Sequence, residues 1–380
     1  MRIAVFNAHL GLAGGGEILA LNMTRALEES GFNVNLITYR YVVSDYERVF
    51  KFYPHYKPKN VIIFNQPFIT KVLGIGGRFR RLRVLLLMRD FFNKIKNEGY
   101  NIVIDTSSNM PTVADVVYVH YPSNIVNYSK KRIYGNSYEW LVKRISKNVL
   151  GNPKIILCNS SWTAEKFKSI YGGKYKVDVL HPPVDVEYFK SVANNKKREK
   201  IIVTLSRFAP EKNLEKILDV ANLMRDYKFV LIGSTANYSK RLLSILEEKK
   251  RKLKLDNIDI KKNVSREEVK EILGKAKYYL HPPFAEHFGI AIVEAMSAGL
   301  IPIVYEDGGG WTDIVSNISS YLGYTDISKV PNIIRKIDED QNLYEALREK
   351  SLEASSRYSY EEFKRRFTRV INSLVEGHYA

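Results

Sequence analysis

The chain has 380 residues, 45% of them hydrophobic and 26% charged, with a formal net charge of +18. That length exceeds what one hydrophobic core usually serves, so two domains are expected, and the ordinary composition excludes a disordered chain. A single cysteine, Cys158, excludes an intrachain disulfide and a cysteine-type structural zinc site.

The chain opens with MRIAVFNAHL, where Asn7 and His9 interrupt the apolar run and no small-residue cleavage site follows. This predicts a first strand at Ile3–Phe6 rather than a signal peptide. The longest uninterrupted aliphatic run, Val84 to Met88, is too short to span a bilayer, so a cytoplasmic location is expected. Gly14-Gly15-Gly16 forms a turn before a helical pattern from Glu17 to Ser30, which Gly31 stops. Further strands are predicted at Val34–Thr38, Val61–Phe64, Ile102–Ile104, Val116–Tyr118 and Ile155–Cys158. Nearly continuous Val/Ile runs with helices between them indicate a parallel sheet covered on both faces.

Between these strands, residues 79–96 alternate Arg80, Arg81, Arg83, Arg89, Lys94 and Lys96 with large apolar residues at helical spacing. Two readings fit. One is an interfacial helix dipping into an anionic membrane surface, and the other is a core helix with a solvated basic face. Charge is uneven along the chain: residues 1–180 hold 26 Lys+Arg against 12 Asp+Glu, and residues 181–380 hold 33 against 29. A basic first half suits a polyanionic partner, whether nucleic acid, membrane or phosphorylated substrate. No recognised nucleic-acid motif accompanies it, so nucleic acid is not expected as a partner.

The pattern pauses at His181-Pro-Pro, and the polar stretch Ser191–Lys200 extends the pause, so residues 181–200 read as a linker. It then restarts with strands at Ile201–Leu205, Phe229–Ile232, Ile258–Ile260, Tyr278–Leu280 and Ile301–Tyr305. Helices alternate with them at Leu214–Arg225, Ser239–Lys252, Glu267–Gly274 and Gly289–Ala298. Two such α/β units predict two nucleotide-binding-like domains facing across a cleft, with ligands at the carboxyl ends of the strands.

Three segments of the second half carry chemistry. After Ile201–Leu205 comes Ser206-Arg207-Phe-Ala-Pro210-Glu211-Lys212-Asn213, where two cations five apart on a strand-to-helix loop can reach one anionic group. An ordinary loop with both cations in solvent is the plain alternative. Next, Glu286-His-Phe-Gly289-Ile-Ala-Ile-Val-Glu294 places one carboxylate on a loop and another inside an apolar helix, where it needs a hydrogen-bonding partner. Gly289 lets the backbone approach a ligand closely. Third, Gly308-Gly309-Gly310 precedes a helix start where backbone amides can face an anion.

Taken together, SRFAPEKN, EHFGIAIVE, AMSAGLIPIV and GGG resemble the donor half of the retaining glycosyltransferase family 4, in order and spacing from Ser206 to Asp313. The resemblance implies the GT-B fold, two Rossmann-like domains. It implies that Arg207 and Lys212 hold a donor diphosphate, that Glu286 contacts the transferred sugar, and that Glu294 binds the nucleotide ribose. Gly289 and Ile290 would lie at the nucleotide, and Gly308–Gly310 near the phosphates. Asp313 departs from the family's usual Glu. In the first half, Gly15 and Gly16 match the family's first-strand loop, which approaches the donor phosphates and acceptor. Tyr118-Val-His120-Tyr-Pro122 is similar to a stretch of the cytosolic α-1,2-mannosyltransferases that extend dolichol-linked oligosaccharides. His120 is then expected at the donor sugar, whereas His9 and His55 have no such neighbouring motif.

The resemblance therefore implies a hexose transfer, mannose favoured, from a nucleotide diphosphate sugar to a glycan or polyprenyl-linked acceptor. GDP-mannose is favoured by likeness alone, and no metal or other cofactor is expected because cations already meet the diphosphate. Residues 1–180 would bind the acceptor, residues 201–360 the nucleotide sugar, and a helix over 361–380 would pack back on the first domain. Alternatives are a GT-B enzyme using a UDP-sugar, a GT-B epimerase or sugar phosphorylase, and, from a different class, a basic nucleic-acid-binding protein.

Overall fold

The computed structural model describes residues 1–10, 15–41, 56–74, 79–123, 135–195, 197–236 and 238–377. Gly14 and His55 lie outside them. The chain divides into two compact units: residues 1–181 with 363–380, and residues 182–362.

In the first unit, seven parallel strands are ordered β3-β2-β1-β4-β5-β6-β7. They are β1 (Arg2–Phe6), β2 (Asn33–Thr38), β3 (Val61–Ile63), β4 (Ile102–Asp105), β5 (Val116–Val119), β6 (Ile155–Cys158) and β7 (Val177–Val179). Strands β5 and β6 are buried at every position, because helices cover both faces of a parallel sheet and leave no strand residue facing water. Cys158 ends β6 fully buried, and burial pushes its thiol up to about 12. The last helix, Tyr360–Val375, belongs to this unit from Phe363 onward. Lys364 pairs with Glu29 at 2.7 Å, and Arg366 donates to the Val179 carbonyl at 2.9 Å.

The second unit holds six parallel strands in the order β10-β9-β8-β11-β12-β13. They are β8 (Glu199–Leu205), β9 (Lys228–Gly233), β10 (Ile258–Lys262), β11 (Ala276–Leu280), β12 (Ile301–Tyr305) and β13 (Gly323–Tyr324). In each unit the chain first winds to one side of its opening strand and then to the other. The switch point lies between β1 and β4 in the first sheet and between β8 and β11 in the second, and crevices for ligands open at the carboxyl ends there.

One expectation needs correction, and one open choice is narrowed. Residues 181–200 are not a linker: they contain a helix, Val186–Lys190, and Val184, Val186 and Phe189 are buried in the core of the second unit. Four apolar side chains in the stretch, with Ala193, outweigh its proline and polar content. The basic helix Arg80–Ile95, for which two readings were open, takes that of a core helix. Its apolar stripe, Leu82, Leu85, Leu87, Met88, Phe91 and Ile95, is buried in the first unit, and Phe6 stacks on Phe91 at 3.9 Å between ring centroids. Among the described residues, no helix is long and apolar enough to cross a membrane.

Candidate active site

The second unit assembles its chemistry on three loops, those leaving β8, β11 and β12. These strands are neighbours in the sheet, so residues far apart in sequence meet beyond one edge. Leaving β8, the chain makes a short turn of 3-10 helix, Pro210–Lys212, with Pro210 at its start and Asn213 in the left-handed region at φ 50°. Proline suits a first helical position, and Asn is among the few side chains that tolerate a left-handed stop. Asn213 Nδ2 donates to the Pro283 carbonyl at 2.9 Å, tying this loop to the one leaving β11.

That tie sets Lys212 against Glu286: Lys212 Nζ lies 2.7 Å from Glu286 Oε2 and 4.1 Å from the Phe284 ring centroid. His281 Nε2 is 3.6 Å from the same oxygen, and the His287 backbone N–H donates to Oε1 at 3.1 Å. Burial alone would raise the Glu286 pKa. The His281 hydrogen bond and the Lys212 charge outweigh it and hold the carboxyl well below the usual carboxylate range. Glu286 is therefore an ionised carboxylate with a matched cation, held by three partners.

The loop leaving β12 closes on Glu286 from behind. Glu286 and Gly308 form an isolated parallel bridge, and the Gly310 N–H reaches the Glu286 carbonyl at 3.4 Å. Gly308 has φ +94°, and a Cβ there would stand 2.6 Å from the Glu286 nitrogen, so only glycine fits. Gly289, at φ 106°, turns the chain into the helix Ile290–Ser297 and offers its first amides no side-chain cap.

Glu294, inside that helix, has the partner its apolar surroundings demand. Arg266 Nη1 lies 2.9 Å from Glu294 Oε1, and both side chains are largely buried. The Arg266 guanidinium sits over Phe189 at 4.7 Å. Sequence reasoning missed Arg266, and the signal was slight: a Ser265 N-cap, which accepts from the Glu268 N–H, places Arg266 at the first helical position. Arg207 is different in kind. It is mostly exposed, 3.7 Å from Glu211 and 3.4 Å from the Tyr238 hydroxyl, so the structure does not bring it to the Lys212–Glu286 pair. Asp313 is buried, accepts from Thr312 Oγ1 at 2.7 Å and lends its carbonyl to Tyr358 and Asn317, which is an architectural set of bonds.

In the first unit, Gly16 and His120 are neighbours: a Cβ on Gly16 would stand 3.4 Å from His120 Nε2. Gly15 opens the helix Gly15–Glu29. His120 follows β5, its backbone N–H donating to Asn109 Oδ1 at 2.6 Å while its carbonyl accepts from Asn159. Gly16 and His120 line a cavity of about 420 Å³ together with His9, Arg83 and the loop Thr106–Asn109. That loop is set by buried Asp105, which accepts from the Ser107 and Ser108 amides at 2.9 and 3.1 Å and from the Ser108 and Thr112 hydroxyls. Sequence reasoning gave no role to Asp105, His9 or Arg83.

Two doubly wound parallel sheets, each with its polar side chains gathered at the switch point, define a two-domain transferase architecture of the GT-B type. Family models agree: residues 13–188 match Glycosyltransferase Family 4, and residues 185–353 match Glycosyl transferases group 1. The chain belongs to this glycosyltransferase family. Its similar curated relatives include a GDP-Man:Man(3)GlcNAc(2)-PP-Dol alpha-1,2-mannosyltransferase of Dictyostelium discoideum, 25% identical over 68% of this chain and 59% of the relative. The Mus musculus protein of the same name is 28% identical over 58% of this chain and 49% of the relative. The chain thus spans about half to three fifths of the length of these relatives. Among solved structures, a sucrose-phosphate synthase of Thermosynechococcus elongatus matches with a TM-score of 0.72 at 16% identity, covering 99% of both chains. That likeness concerns the fold.

Proposed function

We propose that the protein is a retaining glycosyltransferase that moves a hexose, mannose in preference, from a nucleotide diphosphate sugar to a glycan or lipid-linked acceptor. The observation that carries this reading is the Lys212–Glu286 pair at the switch point, braced by Gly308 and flanked by the N-terminus of the helix Ile290–Ser297. A carboxylate held ionised beside a lysine and a free helix N-terminus suits one ligand that is both polyhydroxylated and anionic. GDP-mannose is the preferred donor because the relatives described above are named for it.

In the proposed reaction, Lys212 and the amides of Gly289 and Ile290 meet the diphosphate, and Arg207, exposed on the same loop, turns toward it when the ligand binds. Charge developing on its leaving oxygen is stabilised by groups already in place, so no divalent metal is required. Glu286 accepts hydrogen bonds from hydroxyls of the transferred sugar, and Glu294, held by Arg266, accepts from the ribose. The bond from the anomeric carbon to the phosphate oxygen breaks. The acceptor hydroxyl bonds to that carbon on the same face, and its proton passes to the departing diphosphate.

We further propose that the first unit rests on an anionic membrane surface, where a lipid-linked acceptor would be presented. The support is a cluster around the short helix Phe68–Val72: Phe68, Ile69 and Val72 are 80%, 53% and 43% exposed, with Lys71 among them. The deciding experiment for the donor is thermal stabilisation by GDP, UDP and ADP, followed by transfer assays with the matching sugar nucleotides. Stabilisation by GDP and transfer from GDP-mannose are expected; stabilisation by UDP alone would favour the UDP-sugar reading.

A further inference from the structure

One guanidinium at the amino-terminal edge of the second sheet ties together the ends of three helices. Arg198 immediately precedes β8, whose seven residues put it roughly 20 Å along the strand from the loop leaving β8. Its Nη1 donates to the carbonyls of Leu273 at 3.2 Å and Ala276 at 2.6 Å, in the last turn of the helix Arg266–Lys275 and just beyond it. Its Nη2 donates to Val192 at 3.4 Å and Ala193 at 3.2 Å, in the turn after the helix Val186–Lys190. The same Nη2 donates to Ala298, the C-cap of the helix Ile290–Ser297.

The last carbonyls of a helix lack intrahelical partners and carry partial negative charge, so a cation set among three such ends serves all of them. Among the described residues Arg198 makes no ion pair, and the nearby carboxylate, Glu345, pairs with Arg348 at 3.2 Å. Burial lowers the Arg198 pKa to about 10, which leaves it cationic at neutral pH. Gly299, at φ +84°, makes the room: a Cβ there would stand 2.9 Å from Arg198 Nη2.

Each of these helices also contributes one side chain to a single contact group. Glu294 comes from Ile290–Ser297, Arg266 from Arg266–Lys275 and Phe189 from Val186–Lys190; Arg266 lies 2.9 Å from Glu294 and 4.7 Å from the Phe189 ring centroid. A helix rises 1.5 Å per residue, so a bond at Leu273 sets the height of Arg266 about 10 Å away. Ala298 stands one turn beyond Glu294 and fixes it in the same way. Sliding either helix past the other by about 1 Å takes the pair out of hydrogen-bonding range.

We propose that Arg198 is a positioning residue for nucleotide binding, setting the axial registry of these helices so that Arg266 holds Glu294 in place. The inference rests on the reading above, in which Glu294 meets the ribose, and it adds a residue at the opposite edge of the sheet that acts on that contact without touching the ligand.

The test compares GDP with its 2′,3′-dideoxy analogue by titration calorimetry on the full chain. In Arg198→Met, which keeps the apolar stem and removes the donors, GDP should weaken roughly tenfold while the analogue binds as in the wild type. A merely structural role would weaken both by the same factor. Arg198→Lys keeps the charge with fewer donors, is expected to fold even where Arg198→Met does not, and should show an intermediate preference. In Arg198→Ala, guanidine hydrochloride at millimolar concentration should restore part of the preference by occupying the vacated space. A second measurement needs no nucleotide: the coupling between Arg266→Ala and Glu294→Gln in urea unfolding should be present in the wild type and lost when Arg198→Met is added. The proposal is overturned if the folded Arg198 variants keep the wild-type preference, if GDP and its analogue weaken alike, or if the coupling survives without Arg198. Failure of the wild type to distinguish the two nucleotides would instead sink the ribose role of Glu294, and the urea cycle would still judge Arg198.

Discussion

Lys212 and Glu286, 74 positions apart, close a 2.7 Å ion pair between the loops leaving β8 and β11. The pair couples stability to donor binding. Replacing Lys212 by Ala strands a carboxylate whose side chain is only a quarter exposed, and leaving such a group unsatisfied costs about 1–3 kcal/mol. Lys212→Ala should therefore lower Tm. It should also weaken nucleoside diphosphate far more than nucleoside, measured by titration calorimetry. Equal losses for the two ligands would rule out a phosphate role.

The ionised state of Glu286 leaves a signature in acid. Its pKa in the folded protein lies below the ordinary 4.5, so the stability it contributes is fully present above that value. It is lost as pH falls below 4.5 toward the folded pKa. Glu286→Gln lacks this dependence. The Tm gap between wild type and Glu286→Gln should thus be widest near neutrality and narrow between pH 5 and pH 3. A gap constant across that range would show that no ionised carboxylate is being lost. Transfer in the same variant should fall by ~100-fold or more while GDP still binds.

Why some of this was legible in the sequence and some was not follows from range. Glu286, Gly289 and Glu294 sit in one contiguous stretch, where spacing alone places a loop, a helix start and an internal carboxylate. The partners of those carboxylates are not local: Lys212 follows β8 and Arg266 follows β10, and they reach them only because β10, β9, β8 and β11 are arranged side by side. The edge strands Val177–Val179 and Gly323–Tyr324 were not foreseen, being too short to show a pattern. For Arg80–Ile95, one amphipathic period serves a core helix and an interfacial helix alike. Only the packing of Leu85 and Phe91 against the sheet decides. His9 shows in the sequence only as a break in the first apolar run and Arg83 only as part of the basic stretch, because their common cavity exists only once the sheet is formed.

In the proposed reaction Arg266, paired with Glu294 at 2.9 Å, acts on the nucleotide through that carboxylate and not by contact. Arg266→Ala should reproduce most of the loss in GDP affinity seen in Glu294→Gln. The double variant should fall short of the sum, since side chains in direct contact couple by about 0.5–3 kcal/mol. A merely structural role would be blind to the ribose, so the telling measurement is GDP against its 2′,3′-dideoxy analogue. Wild type should prefer GDP clearly, and both variants should lose that preference. Retention of full ribose discrimination in Arg266→Ala would separate the two residues.

Gly308 tests the bracing of the site. A methyl group there must displace either its own backbone from φ +94° or the Glu286 main chain. Gly308→Ala is expected to cost roughly 1–3 kcal/mol of stability and to abolish GDP stabilisation, because the bridge to Glu286 opens. A variant that folds with wild-type Tm would mean that the loop leaving β12 yields freely.

The membrane surface can be separated from the fold because its side chains lie outside the core. Phe68 is 80% exposed, so Phe68→Asp should change stability by no more than about 0.5 kcal/mol. Leu85, wholly buried in the basic helix Arg80–Ile95, offers the contrast: Leu85→Asp should prevent folding. In co-sedimentation, the wild type should bind vesicles containing phosphatidylserine and release them as salt rises, since the attraction of Lys71 and its basic neighbours is screened. Phe68→Asp combined with Ile69→Asp should lose binding while transfer to a water-soluble acceptor continues. Vesicle binding undiminished in that double variant would place the contact on another face of the first unit.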